Sequence, residues 1–233
     1  MKTLAMEGAL SPIRRIPPEI LAEVFIFCRD SSLDAASYYI SDPREAPMLL
    51  AHICSSWRLV CHGTPRLWQH VHLRSAASFR KPSFIYRILA RSGSLPIHLN
   101  LATLEPRAHA VSTPVISIWD RCRTRVKSIR LNIDLTDVSR LTSLNQETFP
   151  VLRSLDVNVR DAEAVDPGVA AMLSAFNDAP SLDIVNITAD SPRTESLLSA
   201  LPWFQLTALH LQICIDLLEA RDILVQCHKL QSA

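Results

Sequence analysis

An apolar triplet at positions 1, 4 and 6 recurs four times in this chain, as Val126-Ile129-Leu131, Leu152-Leu155-Val157, Leu182-Val185-Ile187 and Leu206-Leu209-Leu211. Successive starts lie 26, 30 and 24 residues apart, and Leu230, a further 24 on, opens a fifth. Residues two apart share one face of a strand. Each triplet therefore predicts a short strand with its apolar residues inward, followed by a return leg that carries a helix. The return legs have the matching signals. Asp166-Pro167 precedes Leu173 and Phe176, Ser191-Pro192 precedes Leu197, Leu198 and Leu201, and Asp216 precedes Leu217, Leu218 and Leu224. An acceptor at the cap satisfies one orphan N–H, and a following proline presets the first turn. A single unit leaves its apolar face bare, so the units are expected to stack. An ordinary α/β layer with parallel strands is the alternative.

The L-x-x-L-x-L core and its spacing resemble leucine-rich repeats. That family's next inward position, three after the last apolar one, is Asn or Cys. Cys214 meets it, whereas Asp134, Arg160 and Asp190 stand at the equivalent places, so the repeats are irregular. In a stacked array the exposed strand residues line a concave surface suited to protein ligands. The candidates for target binding are Arg130, Asn132, Asp156, Asn158, Asn186, His210 and Gln212. Their mixed charge suits a polypeptide better than a phosphate backbone.

Upstream, short helical patterns are each opened by a proline. Pro17 and Pro18 fit a first helical turn, where the missing N–H costs nothing. Ile20, Leu21, Val24, Phe25, Phe27 and Cys28 then make a broad apolar face, with Glu19 and Glu23 near the favoured helix start. The helix is predicted to fail around Arg29, because Asp30-Ser31-Ser32 offers the backbone competing bonds. Residues 30–46 read as a loop in which Tyr38-Tyr39-Ile40 packs locally. Pro47 opens a second helix with Leu50, Ile53, Cys54, Trp57 and Cys61 on one stripe. Thr64-Pro65 predicts a cap and a last turn bearing Leu67 and Trp68, and His70-Val71-His72-Leu73 alternates like a strand. So small a head buries too little to be secure alone. Part of its apolar surface, Leu21 and Phe25 included, is expected to face a partner. A third proline-opened helix (Pro82, with Ile85, Ile88 and Leu89), a turn at Ser92-Gly93 and a strand over Pro96–Leu101 lead into the repeats.

Residues 12–73 resemble an F-box of the kind common in fungal proteins. The first motif stands as Ile16-Pro17-Pro18-Glu19-Ile20-Leu21-Ala22-Glu23-Val24-Phe25, with Ile16 where leucine is usual. The second stands as Ile53-Cys54-Ser55-Ser56-Trp57-Arg58-Leu59-Val60-Cys61-His62-Gly63-Thr64-Pro65-Arg66-Leu67-Trp68, with Cys61 where alanine is usual. The resemblance implies docking on the small adaptor protein Skp1, which links such domains through a cullin to a RING protein and a ubiquitin-loaded conjugating enzyme. Carried over residue by residue, the implied Skp1-binding positions are Pro17, Pro18, Ile20, Leu21 and Phe25 from the first motif and Trp57 from the second.

Composition narrows the alternatives. The chain has 233 residues, 48% apolar and 20% charged, which suits an ordered globular protein. A net charge of +1 gives no footprint for nucleic acid. The six cysteines lie mostly in apolar runs, which favours buried thiols in a reducing compartment over a disulfide framework. Glu7 and Gly8 interrupt the first residues before a signal h-region can form, and no stretch approaches 18 apolar residues, so neither a signal peptide nor a membrane span is expected. His52, Cys54, Cys61 and His62 lack the spacing of a zinc knuckle. There is no G-x-S-x-G, and the four glycines build no phosphate loop. Arg121, Arg123, Arg125, Lys127 and Arg130 form a basic run that reads as the cationic end of the helix bearing Ile118, Trp119 and Cys122, followed by a solvated strand edge.

The expected architecture is an all-α F-box head followed by an α/β leucine-rich-repeat-like solenoid. Residues 1–11 are a disordered start, 12–73 the F-box-like domain, 74–110 a linking helix and strand, and 111–233 the irregular repeats, truncated as a new one opens at Cys227-His228-Lys229-Leu230. The expected function is that of a non-catalytic, cofactor-free adaptor in the cytoplasm or nucleus. The head would bind Skp1, and the repeats would bind an unknown target protein for a cullin-RING ubiquitin ligase. A Skp1-binding scaffold without a ligase role is the alternative.

Overall fold

The computed structural model describes residues 12–33, 39–74, 82–102, 121–134, 148–160, 168–189 and 200–231. The expectations for residues 1–11, for Ile118 and Trp119, for the helix after Ser191-Pro192 and for Asp190 lie outside them. The chain divides into two compact units, Met1–Trp68 and Gln69–Ala233. Among the described residues it is a mixed α/β protein with six α-helices and an open, six-stranded, all-parallel sheet.

In the first unit a 3-10 turn, Pro12–Arg15, precedes helix α1, Pro18–Leu33. Helices α2, Met48–Ile53, and α3, Ser55–His62, follow, and a second 3-10 turn spans Pro65–Trp68. Helix α1 runs past the predicted stop at Arg29. Ser31 spends its hydroxyl on the Phe27 carbonyl one turn back (2.8 Å), a bond that leaves the helix intact. Arg29 itself is buried, bonded to Asp30 and to the Arg66 carbonyl, so it pins the helix to the final turn. The single helix predicted after Pro47 is two. Cys54 breaks it with extended backbone (φ −156°, ψ 171°), and its Sγ accepts the Trp57 N–H at 3.5 Å. Arg58 Nε bonds the Ala51 carbonyl (2.9 Å) across the break. Thr64 caps the helix behind it, donating to the Val60 carbonyl at 2.7 Å, and not the turn ahead. Trp68 is fully buried, with its indole N–H on the Cys61 carbonyl at 2.8 Å.

The second unit begins with the strand that the sequence grouped with the head. Strand β1, His70–Arg74, pairs with β2, Ile97–Ala102, which moves the boundary from residue 73 to Trp68/Gln69. Strands β3, Val126–Asp134, β4, Ser154–Arg160, β5, Ile184–Ala189, and β6, Ala208–Gln212, complete the sheet in strict chain order. The sheet thus starts well before residue 111, and the segment assigned as a linker supplies its second strand. Between strands lie helices α4, Pro82–Arg91, and α5, Gly168–Ser174, and after β6 comes α6, Leu217–Gln226.

The apolar triplets explain this order. Val71, Leu99, Ile129, Leu155, Val185 and Leu209 lie side by side in one cross-strand row, and Leu73, Leu101, Leu131, Val157, Ile187 and Leu211 in the next. All but the last are buried, so a slip of one residue would turn every row to solvent. Leu152, Leu182 and Leu206 each close a four-residue turn onto a buried residue, Phe149, Ala179 and Trp203 respectively, just before their strands. Ile85, Ile88 and Leu89 of α4, Met172 and Leu173 of α5, and Phe176 just after it add the remaining core, with the Phe149 and Phe176 rings 5.3 Å apart. Helix α6 departs from expectation. Leu217, Leu218 and Leu224 are exposed, Ile223 is the buried residue, and the Asp216 side chain makes no cap bond.

Two arginines of the basic run reach α4. Arg125 reaches the C-terminal end of α4, donating to the carbonyls of Leu89 (3.3 Å), Leu95 (3.2 Å) and Gly93 and to Ser92 Oγ (3.2 Å). Arg121 lies 4.2 Å over the Tyr86 ring. Arg125 thus ties the start of β3 to α4, and Arg121 adds a contact from just ahead of it.

Candidate functional site

Two surfaces gather the residues singled out by sequence, one in each unit. In the first, α1 sorts its apolar residues by helical period. Leu21, Phe25, Ile26 and Arg29 face inward, and the Phe25 ring lies 4.8 Å from that of Trp57. Leu21 is 5% exposed and Phe25 0%, which corrects the expectation that both face a partner. Helices of the same unit cover them. The residues left bare are Ile20 (56%), Val24 (47%) and Phe27 (73%), spaced i, i+4, i+7 and so on one stripe. Pro17 and Pro18 are exposed as well, and Trp57 is half-buried. Beside them a cavity of about 670 Å³ is walled by Ile13, Ile16, Pro18, Leu21, Trp57 and Val60. Of the six positions carried over from the F-box motifs, three are exposed, three line the cavity (Pro18 counts in both sets), and Phe25 supports Trp57 from behind.

In the second unit, the polar residues between the apolar rows form rows of their own. His72, Asn100, Arg130, Asp156, Asn186 and His210 make one, and Asn132, Asn158, Thr188 and Gln212 run beside it. All seven predicted target-binding residues thus share one face. Arg130 and Asp156 are joined at 2.9 Å, so this pair presents little net charge. The sequence reasoning passed over His70, His72, His98, Asn100, Ser128, Ser154 and Thr188, which share the face. For the first strands the signal was present in the alternation His70-Val71-His72-Leu73, but it was attributed to the head.

The histidines form the most structured part of that face. His70 and His98 stack with ring centroids 4.6 Å apart and planes 9° from parallel, and His98 Nδ1 lies 2.8 Å from Ser128 Oγ. Burial holds the His72 imidazole down to a pKa of about 4, with Arg130 and then His98 adding to the effect, so it is neutral at physiological pH.

Among the described residues no group of three or more His, Cys, Asp or Glu is arranged to hold a metal ion, and no helix is long and apolar enough to cross a membrane. The Cys61 thiol is buried in the head and Cys54 is engaged as a helix cap. No family model, no curated protein and no solved structure matches this chain.

Proposed function

We propose that the chain is a non-catalytic recruiting adaptor for a cullin-RING ubiquitin ligase, its first unit docking on Skp1 and its sheet face holding a target polypeptide. The observation that carries the reading is the bare stripe Ile20, Val24 and Phe27 on a helix whose other side, through Pro18 and Leu21, lines a cavity with Trp57. A helix that places apolar residues on two opposite faces has one face more than its own unit uses, and a partner helix is the usual occupant of the other.

The second unit supports a repeat-based, leucine-rich-like reading over an ordinary α/β layer. A doubly wound sheet reverses strand order at one point and binds ligands in the resulting crevice. Here the order is sequential from β1 to β6 without a reversal, and the same four-residue turn precedes three of the strands. A polar face of carboxamides, imidazoles and a neutralised ion pair suits the peptide groups of a protein partner.

Co-purification with Skp1, followed by reconstitution with a cullin and a RING protein, tests the function. A bound partner should become ubiquitylated. Retention of Skp1 with no ubiquitylation would favour the scaffold role, and absence of Skp1 binding would remove both.

A further inference from the structure

The second unit contains a cavity of about 370 Å³ whose polar lining is Ser94, Thr124, Arg125, Lys127 and Arg153. Three of these side chains are cationic, none of the lining residues is acidic, and two are hydroxyls. The backbone holds the cations together. The Arg153 N–H donates to the Lys127 carbonyl at 2.8 Å, which sets the two residues side by side at the starts of β4 and β3. Arg125 stands two residues before Lys127, its guanidinium fixed by Ser92 Oγ and the carbonyls of Leu89, Gly93 and Leu95. Arg125 therefore supplies charge at a set position while its donors are largely used. Lys127 and Arg153 are exposed, and neither has an ion-pair partner among the described residues, so their donors remain for a ligand.

Three like charges around one small cavity call for a counter-charge. A tetrahedral dianion fits best, because its several oxygens can take the flat fork of Arg153, the ammonium of Lys127 and both hydroxyls at once. A single carboxylate has too few acceptors for that set. The cavity is also larger than such an anion alone, which leaves room for a small organic group that carries it. Arg125 and Lys127 belong to the basic run from Arg121 to Arg130, and Arg153 joins them from the next strand; a net charge of only +1 leaves no wider excess for a nucleic acid.

We propose that this cavity is a binding site for a phosphoryl-type oxyanion, held by the charge of Arg125 and by the donors of Lys127, Arg153, Ser94 and Thr124. The site is independent of the docking reading and stands or falls without it. The test is titration calorimetry on the full chain with inorganic phosphate, with O-phosphoserine, and with acetate at matched ionic strength. Phosphate is expected to bind in the millimolar range or tighter, acetate at least tenfold more weakly, and Lys127→Glu/Arg153→Glu to abolish the phosphate signal. Both replaced side chains are exposed, and an unchanged circular dichroism spectrum shows that the fold is kept. Tighter binding of phosphoserine than of phosphate assigns the site to a phosphate ester, and equal binding assigns it to the free anion. No heat from either phosphate compound, or an undiminished signal in the double variant, overturns the proposal.

Discussion

The Gln231 amide donates to the Thr207 carbonyl across 2.8 Å. The same bond runs from Thr207 to Asp183, from Asp183 to Arg153 and from Arg153 to Lys127, always just ahead of or at the first residues of a strand. Leu230, one residue earlier, closes a turn onto Cys227 as Leu206 does onto Trp203. The ladder that orders the sheet therefore extends one rung beyond β6.

That rung predicts protection. In hydrogen–deuterium exchange the Gln231 amide should exchange slowly, with a rate that tracks Thr207 rather than the neighbouring exposed Lys229. Gln231→Pro, which removes the donor, should lower stability by about 1 kcal/mol in a urea melt.

Arg125 should be the most costly surface-proximal residue to lose in the second unit. Arg125→Ala leaves three carbonyls and a hydroxyl at the end of α4 without their shared donor. A loss of about 2–3 kcal/mol is expected from the shift in denaturation midpoint.

His72 predicts a pH dependence with a definite sign. Its folded pKa of about 4 lies below the ordinary value of 6.5, so the unfolded chain takes up a proton that the folded chain refuses. Its contribution is full above pH 6.5, falls as pH drops toward 4, and levels off below. The size is about 3–4 kcal/mol before allowance for partial solvent access, and less after it. The difference in stability between wild type and His72→Asn should narrow over that window. A constant difference between pH 7 and 4 would place the effect elsewhere.

The thiols should separate by exposure. Cys28 and Cys214 are exposed and should react first with Ellman's reagent in the native protein, followed by half-buried Cys54. Burial pushes the Cys122 thiol up to about 12 and raises Cys227 as well, so both should wait for unfolding. Burst titration before and after adding guanidinium reads this directly.

Much of the sheet was legible because its core is written in side chains at a spacing of two, and all six strands carry that spacing, with Leu211 of β6 half-buried. The face of polar residues followed automatically, since alternation leaves no other place for Asn132 or Gln212. The features that escaped depend on long-range contacts. Cys54 breaks a helix whose apolar stripe looks continuous, and only the bond from Trp57 reveals it. Asp30-Ser31-Ser32 reads as a stop signal, yet Arg29 just before it bonds Arg66, 37 residues away, and the helix continues. On α1 the sequence identified the apolar residues but not which stripe turns inward. Choosing Ile20, Val24 and Phe27 over Leu21 and Phe25 as the bare face requires knowing where Trp57 sits.

That choice of stripe decides the most direct test. Calorimetry of the full chain with purified Skp1 should give saturable binding. Ile20→Glu/Val24→Glu/Phe27→Glu should weaken it at least 100-fold, about 3 kcal/mol, with the thermal midpoint nearly unchanged. Phe25→Ala should instead unfold the first unit, at a cost of about 3–5 kcal/mol. Undiminished affinity in the triple variant, or no binding by the wild type, would contradict the account.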